Sequence, residues 1–253
     1  MKIALTIAGS DPSGGAGIQA DLKVFRAHRV YGLSAVAAVT AQNSTGVKYV
    51  ASVEAKMLER QLSVLLSDFE PEAIKTGMLS SAANVLIVAK TARRYGFRNL
   101  VMDPVMRSTS GRRLTEKAAE SAIREKLLPC CAVITPNLEE ASVLADMKIR
   151  TEADMERAAL RLRDLGAKSV IITGGHLDNV ATDLVFDGRF HYFRSKKISG
   201  EYHGTGCTFS AAITALLAKG YSVPEAARLA KQFMRRAFEK TFTTGRGMRL
   251  FDI

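Results

Sequence analysis

Ile3-Ala4-Leu5-Thr6-Ile7-Ala8 runs directly into Gly9-Ser10-Asp11-Pro12-Ser13-Gly14-Gly15-Ala16-Gly17, and Ile18-Gln19-Ala20-Asp21 continues at helical spacing. A short, nearly unbroken apolar run reads as a strand covered on both faces, and the glycines turn it sharply into a helix. The unit repeats. Further strands are expected at Leu33–Val39, Ala73–Thr76, Asn99–Asp103, Ala132–Thr135 and Ser169–Thr173. Helices are expected at Ile18–Arg29, Glu54–Phe69, Ala82–Tyr95, Thr115–Leu127, Asn137–Ala145 and Glu152–Leu165. Leu58, Leu62, Leu65, Leu66 and Phe69 share one helical face, and Thr151 with Asp154 forms a cap signal. Beyond this alternation, Thr182–Phe186 and Phe190–Arg194 flank Asp187-Gly188 as an antiparallel hairpin. Helices over Thr208–Lys219 and Val223–Thr241 close the chain. The fold class is α/β: a mostly parallel sheet between helical layers, in one domain over residues 1–253.

The totals narrow the function. With 253 residues and 47% hydrophobic content the chain buries a large core. The net charge of +11 invites a nucleic-acid reading, but Arg157, Arg161 and Arg163 alternate with Glu156 and Asp164, and tryptophan is absent. Solvated helix faces account for the surplus, which also draws in small anions. No apolar run approaches the roughly 18 residues of a membrane span. Met1 leads straight into the first strand, with no signal peptide expected, and Cys130, Cys131 and Cys207 suggest no disulfide framework. A cytoplasmic location is the expectation. His28, His176, His191 and His203 lack zinc-ligand spacing, and there is no G-x-S-x-G elbow.

In an open parallel sheet, ligands bind beyond the carboxyl ends of the strands. Those ends carry Gly9-Ser10-Asp11, Gln42-Asn43, Gly77-Met78, Asp103, Pro136-Asn137 and Gly174-Gly175-His176. Each has a plain structural explanation: glycines make tight turns, Asn137 caps a helix, and Glu139 and Glu140 complement its dipole. Together they point one way, to a single site. Asp103 and Glu140 suit a hydrated Mg²⁺, which takes one or two carboxylates. The same logic applies at His203-Gly204-Thr205-Gly206-Cys207-Thr208-Phe209-Ser210, where a glycine-rich turn opens a helix and aims unpaired N–H groups at one point. That geometry suits a phosphate or an oxyanion. Cys207 at the helix mouth is either a helix-start cysteine in a tight loop or a thiol whose pKa is lowered there.

The strings from Ala8 (AGSDPSGGAGIQADLK), Thr40 (TAQNSTGV), Lys75 (KTGML), Met102 (MDPVM), Thr135 (TPNLEEA), Gly174 (GGHL) and His203 (HGTGCTFSAAI) carry a family resemblance. Their order and spacing cover almost the entire chain. The sequence resembles the hydroxymethylpyrimidine/phosphomethylpyrimidine kinases of thiamine biosynthesis, within the ribokinase superfamily. The resemblance implies a three-layer α/β/α sandwich, often a homodimer, that uses ATP and Mg²⁺ to phosphorylate the pyrimidine twice. It implies Gly9, Ala16, Asp21, Gln42, Met78 and Val105 around the pyrimidine, and Asp103, Asn137 and Glu140 at phosphate and magnesium. Gly204, Gly206 and Cys207 are implied at the anion hole, with Cys207 where many relatives carry a catalytic aspartate, and Thr205, Thr173 and Gly175 at the ATP phosphates. Gln42 suits an aminopyrimidine physically, because one carboxamide offers donors and an acceptor.

One position departs from the family pattern. Where members usually have a lysine before Gly174-Gly175, this chain has Thr173, which donates a hydrogen bond but neutralises no charge. Arg112 or Arg113, in the basic loop after Met106, is the expected source of the missing charge. Two other functions fit the same residues: a pyridoxal-type vitamin kinase, and a pyrimidine-binding protein that has lost turnover.

Overall fold

The computed structural model describes residues 1–108, 111–174 and 180–253. The chain runs β1 (Ile3–Ser10), α1 (Gly17–Ala27), β2 (Tyr31–Asn43), β3 (Gly46–Ser52), α2 (Ala55–Leu66), β4 (Ala73–Thr76), α3 (Ala82–Tyr95) and β5 (Leu100–Met102). It continues through α4 (Lys117–Ala122), β6 (Val133–Ile134), α5 (Leu138–Leu144), α6 (Glu152–Asp164), β7 (Ser169–Gly174), β8 (Val180–Phe186) and β9 (Phe190–Lys196). Helices α7 (Thr205–Ala218) and α8 (Val223–Glu239) precede a short pair, β10 (Thr241–Phe242) and β11 (Leu250–Phe251).

One sheet of nine strands, ordered β3-β2-β1-β4-β5-β6-β7-β8-β9, forms the middle layer. Strands β2, β1, β4, β5, β6 and β7 are mutually parallel, β3 at one edge and β8 near the other run against them, and β9 pairs antiparallel with β8. Alternate side chains of each strand enter opposite cores, as the two-residue period requires. Leu5, Ile7, Ile74, Leu100, Met102 and Ile134 pack with Leu58, Leu62, Val85, Val88 and Leu162 of α2, α3 and α6. Ala4, Ala73, Val101, Val133 and Ile171 face α1, α7 and α8. The structure therefore has the three-layer sandwich expected. The cap at α6 also forms, with Thr151 and Asp154 exchanging bonds as a capping box.

The β2–β3 hairpin was not expected. Strand β2 continues through Asn43, past the Val39 limit read from the sequence, because Asn43 Oδ1 accepts from Thr45 N and Oγ1 and closes a short turn. Gln42 and Asn43 therefore lie within a strand, not after one. A bulge between Ala41 and Gln42 re-aims the side chains at this point. Helix α7 also starts earlier than the Thr208 expected, directly after Gly204.

Candidate active site

The two glycine-rich segments, far apart in sequence, meet at the carboxyl edge of the sheet. Asp11 organises the first. Its Oδ1 accepts from Ser13 N (2.8 Å) and Oγ (2.7 Å), and its Oδ2 from Gly15 N (3.1 Å), Ala16 N (2.8 Å) and His203 Nε2 (2.8 Å). Burial works against the charged form, but the bonds from His203 and Ser13 outweigh it and bring the carboxyl down to about 2. The second segment is seated on the first. Gly204 caps α7 in the left-handed conformation (φ 78°), and a Cβ there would lie 1.9 Å from the Gly15 carbonyl oxygen. Gly204→Ala must therefore force the loops apart. It is expected to lower kcat/KM by about 100-fold, the cost of a displacement near 1 Å, with a thermal transition still cooperative in a melting experiment.

Helix α7 makes its first intrahelical bond from Thr208 N to Gly204 O (2.9 Å). The N–H groups of Thr205, Gly206 and Cys207 precede it and form the open amide crown of a helix N-terminus. Gly206 is exposed, and a Cβ on it would meet nothing within 4 Å, so the crown opens to incoming ligand. Of the two readings of the Cys207 thiol, a lowered pKa is the one its surroundings oppose. Burial, Asp103 and Asp21 push Cys207 up to about 12, against the pull of Lys75 and the Gly17 N–H. Desolvation and two neighbouring carboxylates outweigh the helix dipole.

Lys75, unassigned by sequence reasoning, is the centre of the site's electrostatics. Its ammonium is fully buried, 3.0 Å from Asp21 Oδ1 and 3.7 Å from Asp103 Oδ2. Burial opposes its charge, but Asp21, Cys207 and Asp103 together hold the proton above the ordinary lysine range. A lysine inside the otherwise apolar strand Ala73–Thr76 was the available signal, since buried cations need partners. Asp21, read as a pyrimidine contact, is itself fully buried and bonded to Lys75 and to Thr6 Oγ1 (2.6 Å). Its carboxylate faces this cluster and holds Lys75.

Asp103 stands at the end of β5, where Ser210 Oγ of α7 donates to its Oδ2 (2.9 Å). Burial pushes Asp103 above the usual carboxylate range, with Lys75 and Ser210 opposing. Burial and then the charge of Asp103 raise Glu140 to about 8. Glu140 is also the capping-box partner of Asn137, so the structural and functional explanations hold together at this residue. Two neighbouring carboxylates that resist joint ionisation are a hard-oxygen donor set of the kind Mg²⁺ takes. Thr173 pairs in parallel register with Asn137, bringing both sequence-identified phosphate residues to adjacent strand ends. The basic loop does not converge on them. Arg113 is ion-paired with Glu120 (2.6 Å), and Arg112 reaches the Val47 carbonyl of β3 (3.5 Å). Gly175, also implied at the phosphate, lies outside the described residues.

Opposite the crown, the methyl end of Met78 lies against Gly9, where a Cβ would be 2.4 Å from Cε. Gln42 is 3.0 Å from His203 Nε2, and Ala16 belongs to the loop fixed by Asp11. Gly9, Ala16, Gln42 and Met78 thus gather on the β1–β2 side. Val105 is half-buried two residues beyond Asp103, its carbonyl accepting from Thr115 Oγ1 (2.7 Å). Asp11 and His203 lie in segments that the sequence assigns to the site, but neither was given a role there. A lone histidine beside a glycine turn carries no spacing signal.

Known proteins are similar to this chain. A model of the phosphomethylpyrimidine kinase family matches residues 11–252. The hydroxymethylpyrimidine/phosphomethylpyrimidine kinase of Bacillus subtilis is 45% identical over 248 residues, covering 96% of this chain and 92% of the relative. The crystal structure of phosphomethylpyrimidine kinase from Clostridium difficile 630 superposes with a TM-score of 0.84 at 40% identity, covering 94% of this chain and 99% of that one. Pyridoxal kinase from Staphylococcus aureus, in complex with AMP-PCP and pyridoxal, superposes with a TM-score of 0.91 at 37% identity, covering 100% and 93%. A match running from Asp11 to Asp252 takes in both glycine loops, the Lys75 cluster and the Asp103–Glu140 pair, and the chain belongs to the phosphomethylpyrimidine kinase family.

Proposed function

We propose that this kinase transfers the γ-phosphoryl group of ATP to the hydroxymethyl oxygen of 4-amino-5-hydroxymethyl-2-methylpyrimidine, and then a second phosphoryl group to the monophosphate, as a step of thiamine biosynthesis. The observation that carries this reading is the seating of the α7 amide crown on the Gly9–Gly17 loop, between the Gln42–Met78 side and the Asp103–Glu140 pair. Phosphoryl transfer needs in-line positioning and stabilised charge more than covalent chemistry. The crown at Thr205, Gly206 and Cys207 supplies N–H donors to the transferring group. Gly9, Ala16, Gln42, Met78 and Val105 hold the ring, while Asp21 acts through Lys75. Asp103 and Glu140 would hold a Mg²⁺ ion, which supplies charge neutralisation at the phosphates. Asn137, Thr173 and Gly175 are read as the residues at the nucleotide phosphates, and the charge absent at Thr173 is not supplied by Arg112 or Arg113 as they stand, held at Val47 and Glu120.

The reading includes a homodimer in the cytoplasm, with no nucleic acid as partner; among the described residues no helix is long and apolar enough to cross a membrane. An assay of ADP release with the alcohol and the monophosphate supplied separately tests it. Turnover of both is expected, and turnover of neither would overturn it. The likeness to a pyridoxal kinase favours a second substrate of the same class, so pyridoxal belongs in the same assay. A larger kcat/KM for pyridoxal would reassign the enzyme. Tight pyrimidine binding without ADP release would mean that turnover has been lost.

A further inference from the structure

Two groups reach for one nitrogen beside the pyrimidine site. His203 Nε2 lies 2.8 Å from Asp11 Oδ2 and 3.0 Å from the carboxamide Nε2 of Gln42. Asp11 is ionised at neutral pH and therefore only accepts. The other ring nitrogen of His203, Nδ1, is buried and has no hydrogen-bond partner among the described residues. A proton on Nδ1 would be an orphaned buried donor and would turn the Nε2 lone pair onto a carboxylate. A proton on Nε2 avoids both costs.

Nε2 thus carries the hydrogen and donates it to Asp11. It then has no lone pair for the amide nitrogen of Gln42. Turning the carboxamide by 180° keeps its shape and brings its oxygen to the imidazole, where it accepts a share of the same N–H. The ring cannot swing away to relieve the conflict. It is 7% exposed, and its Cδ2 presses on Gly15, where a Cβ would be 2.3 Å away.

We propose that His203, oriented by Asp11, locks the Gln42 carboxamide with its oxygen toward the imidazole and its NH₂ toward the ligand, and so sets the site's choice between amino- and oxo-pyrimidines. This rests on the pyrimidine kinase reading above. A 4-aminopyrimidine offers an unprotonated ring nitrogen beside an exocyclic amino group. Its deaminated 4-oxo counterpart offers a ring N–H beside a carbonyl, the reverse pattern. An unconstrained glutamine turns over to match either. The locked one gives its NH₂ to the ring nitrogen and its oxygen's second lone pair to the amino group. Against the oxo ring, donor meets donor and acceptor meets acceptor.

His203 is a positioning residue in this account, and its test needs readouts that simple loop damage would not produce. The wild-type enzyme is expected to prefer the amino over the 4-oxo substrate by about 100-fold or more in kcat/KM, since mispaired buried polar groups discriminate strongly. His203→Phe should reduce that preference to about tenfold or less, through the substrate KM, with the ATP KM unchanged. His203→Gln should keep it, because one amide NH₂ donates to both Asp11 and Gln42. An unchanged preference in the phenylalanine variant, or equal losses in both variants, would overturn the proposal. The ¹⁵N spectrum of the ligand-free wild type reads the tautomer directly: Nε2 protonated supports the lock, and Nδ1 protonated sinks it whatever the substrate. Absence of turnover on either pyrimidine would overturn the function instead, a failure that the tautomer measurement keeps distinct.

Discussion

Cys207→Ala is expected to slow phosphorylation of the hydroxymethyl alcohol by about 100-fold or more, the usual contribution of a general base, while phosphorylation of the monophosphate changes only severalfold. The two nucleophiles differ in their need. The alcohol must lose a proton, whereas a phosphate monoester, with a second pKa of about 6, is already ionised near neutral pH. The structure adds a condition, because the thiol is pushed up to about 12 and is protonated at rest. Below that value each unit of pH raises the thiolate fraction tenfold. The alcohol reaction should therefore climb about tenfold per pH unit between pH 7 and 10, and the monophosphate reaction should stay flat. Stopped assays of both substrates across this range decide it. Equal losses in the alanine variant, or a flat alcohol profile, would leave Cys207 as a packing residue of the crown.

Lys75→Met is expected to cost about 3–5 kcal/mol of folding stability, the range for breaking a buried ion pair from one side. Methionine fills most of the lysine's volume, so the loss comes from charge and not from a cavity. It leaves Asp21 with no cation at 0% exposure and Asp103 nearly as buried at 5%. Those carboxylates would then protonate in the fold at a higher pH than in the unfolded chain. A group whose folded pKa is raised stabilises the fold as pH falls, so the variant should regain stability from pH 7 to pH 5. Urea titrations at the two pH values measure both effects. A loss under about 1 kcal/mol, or one independent of pH, would mean that Lys75 does not hold the cluster together.

The layers were legible because the chemistry that builds them is local. Ala73–Thr76 and Ala82–Tyr95 came out with the boundaries expected, one a short strand before a glycine and the other a periodic helix. The β2–β3 hairpin was hidden for an equally local reason. Its turn depends on Asn43 bonding to Thr45, and Gln42 looked like loop chemistry after a strand. At the candidate site, the positions of Asp103, Asn137, Glu140 and Gly204 were legible because strand ends and helix starts constrain where they stand. Lys75 and the Asp11–His203 pair escaped because their meaning lies in tertiary partners. The thiol of Cys207 stayed open between two readings for the same reason: a helix N-terminus is visible in the sequence, but the burial and the two aspartates that oppose it are not.

The bond between Asp11 and His203 spans 192 positions of the chain. Closing so long a loop comes late, after local and neighbouring-strand contacts have formed. A nascent chain that has not yet released residues 203–218 can hold most of the sheet and none of the amide crown. Competence to bind phosphate then reports on a late stage of folding: the enzyme cannot hold its nucleotide until α7 has docked on the first glycine loop.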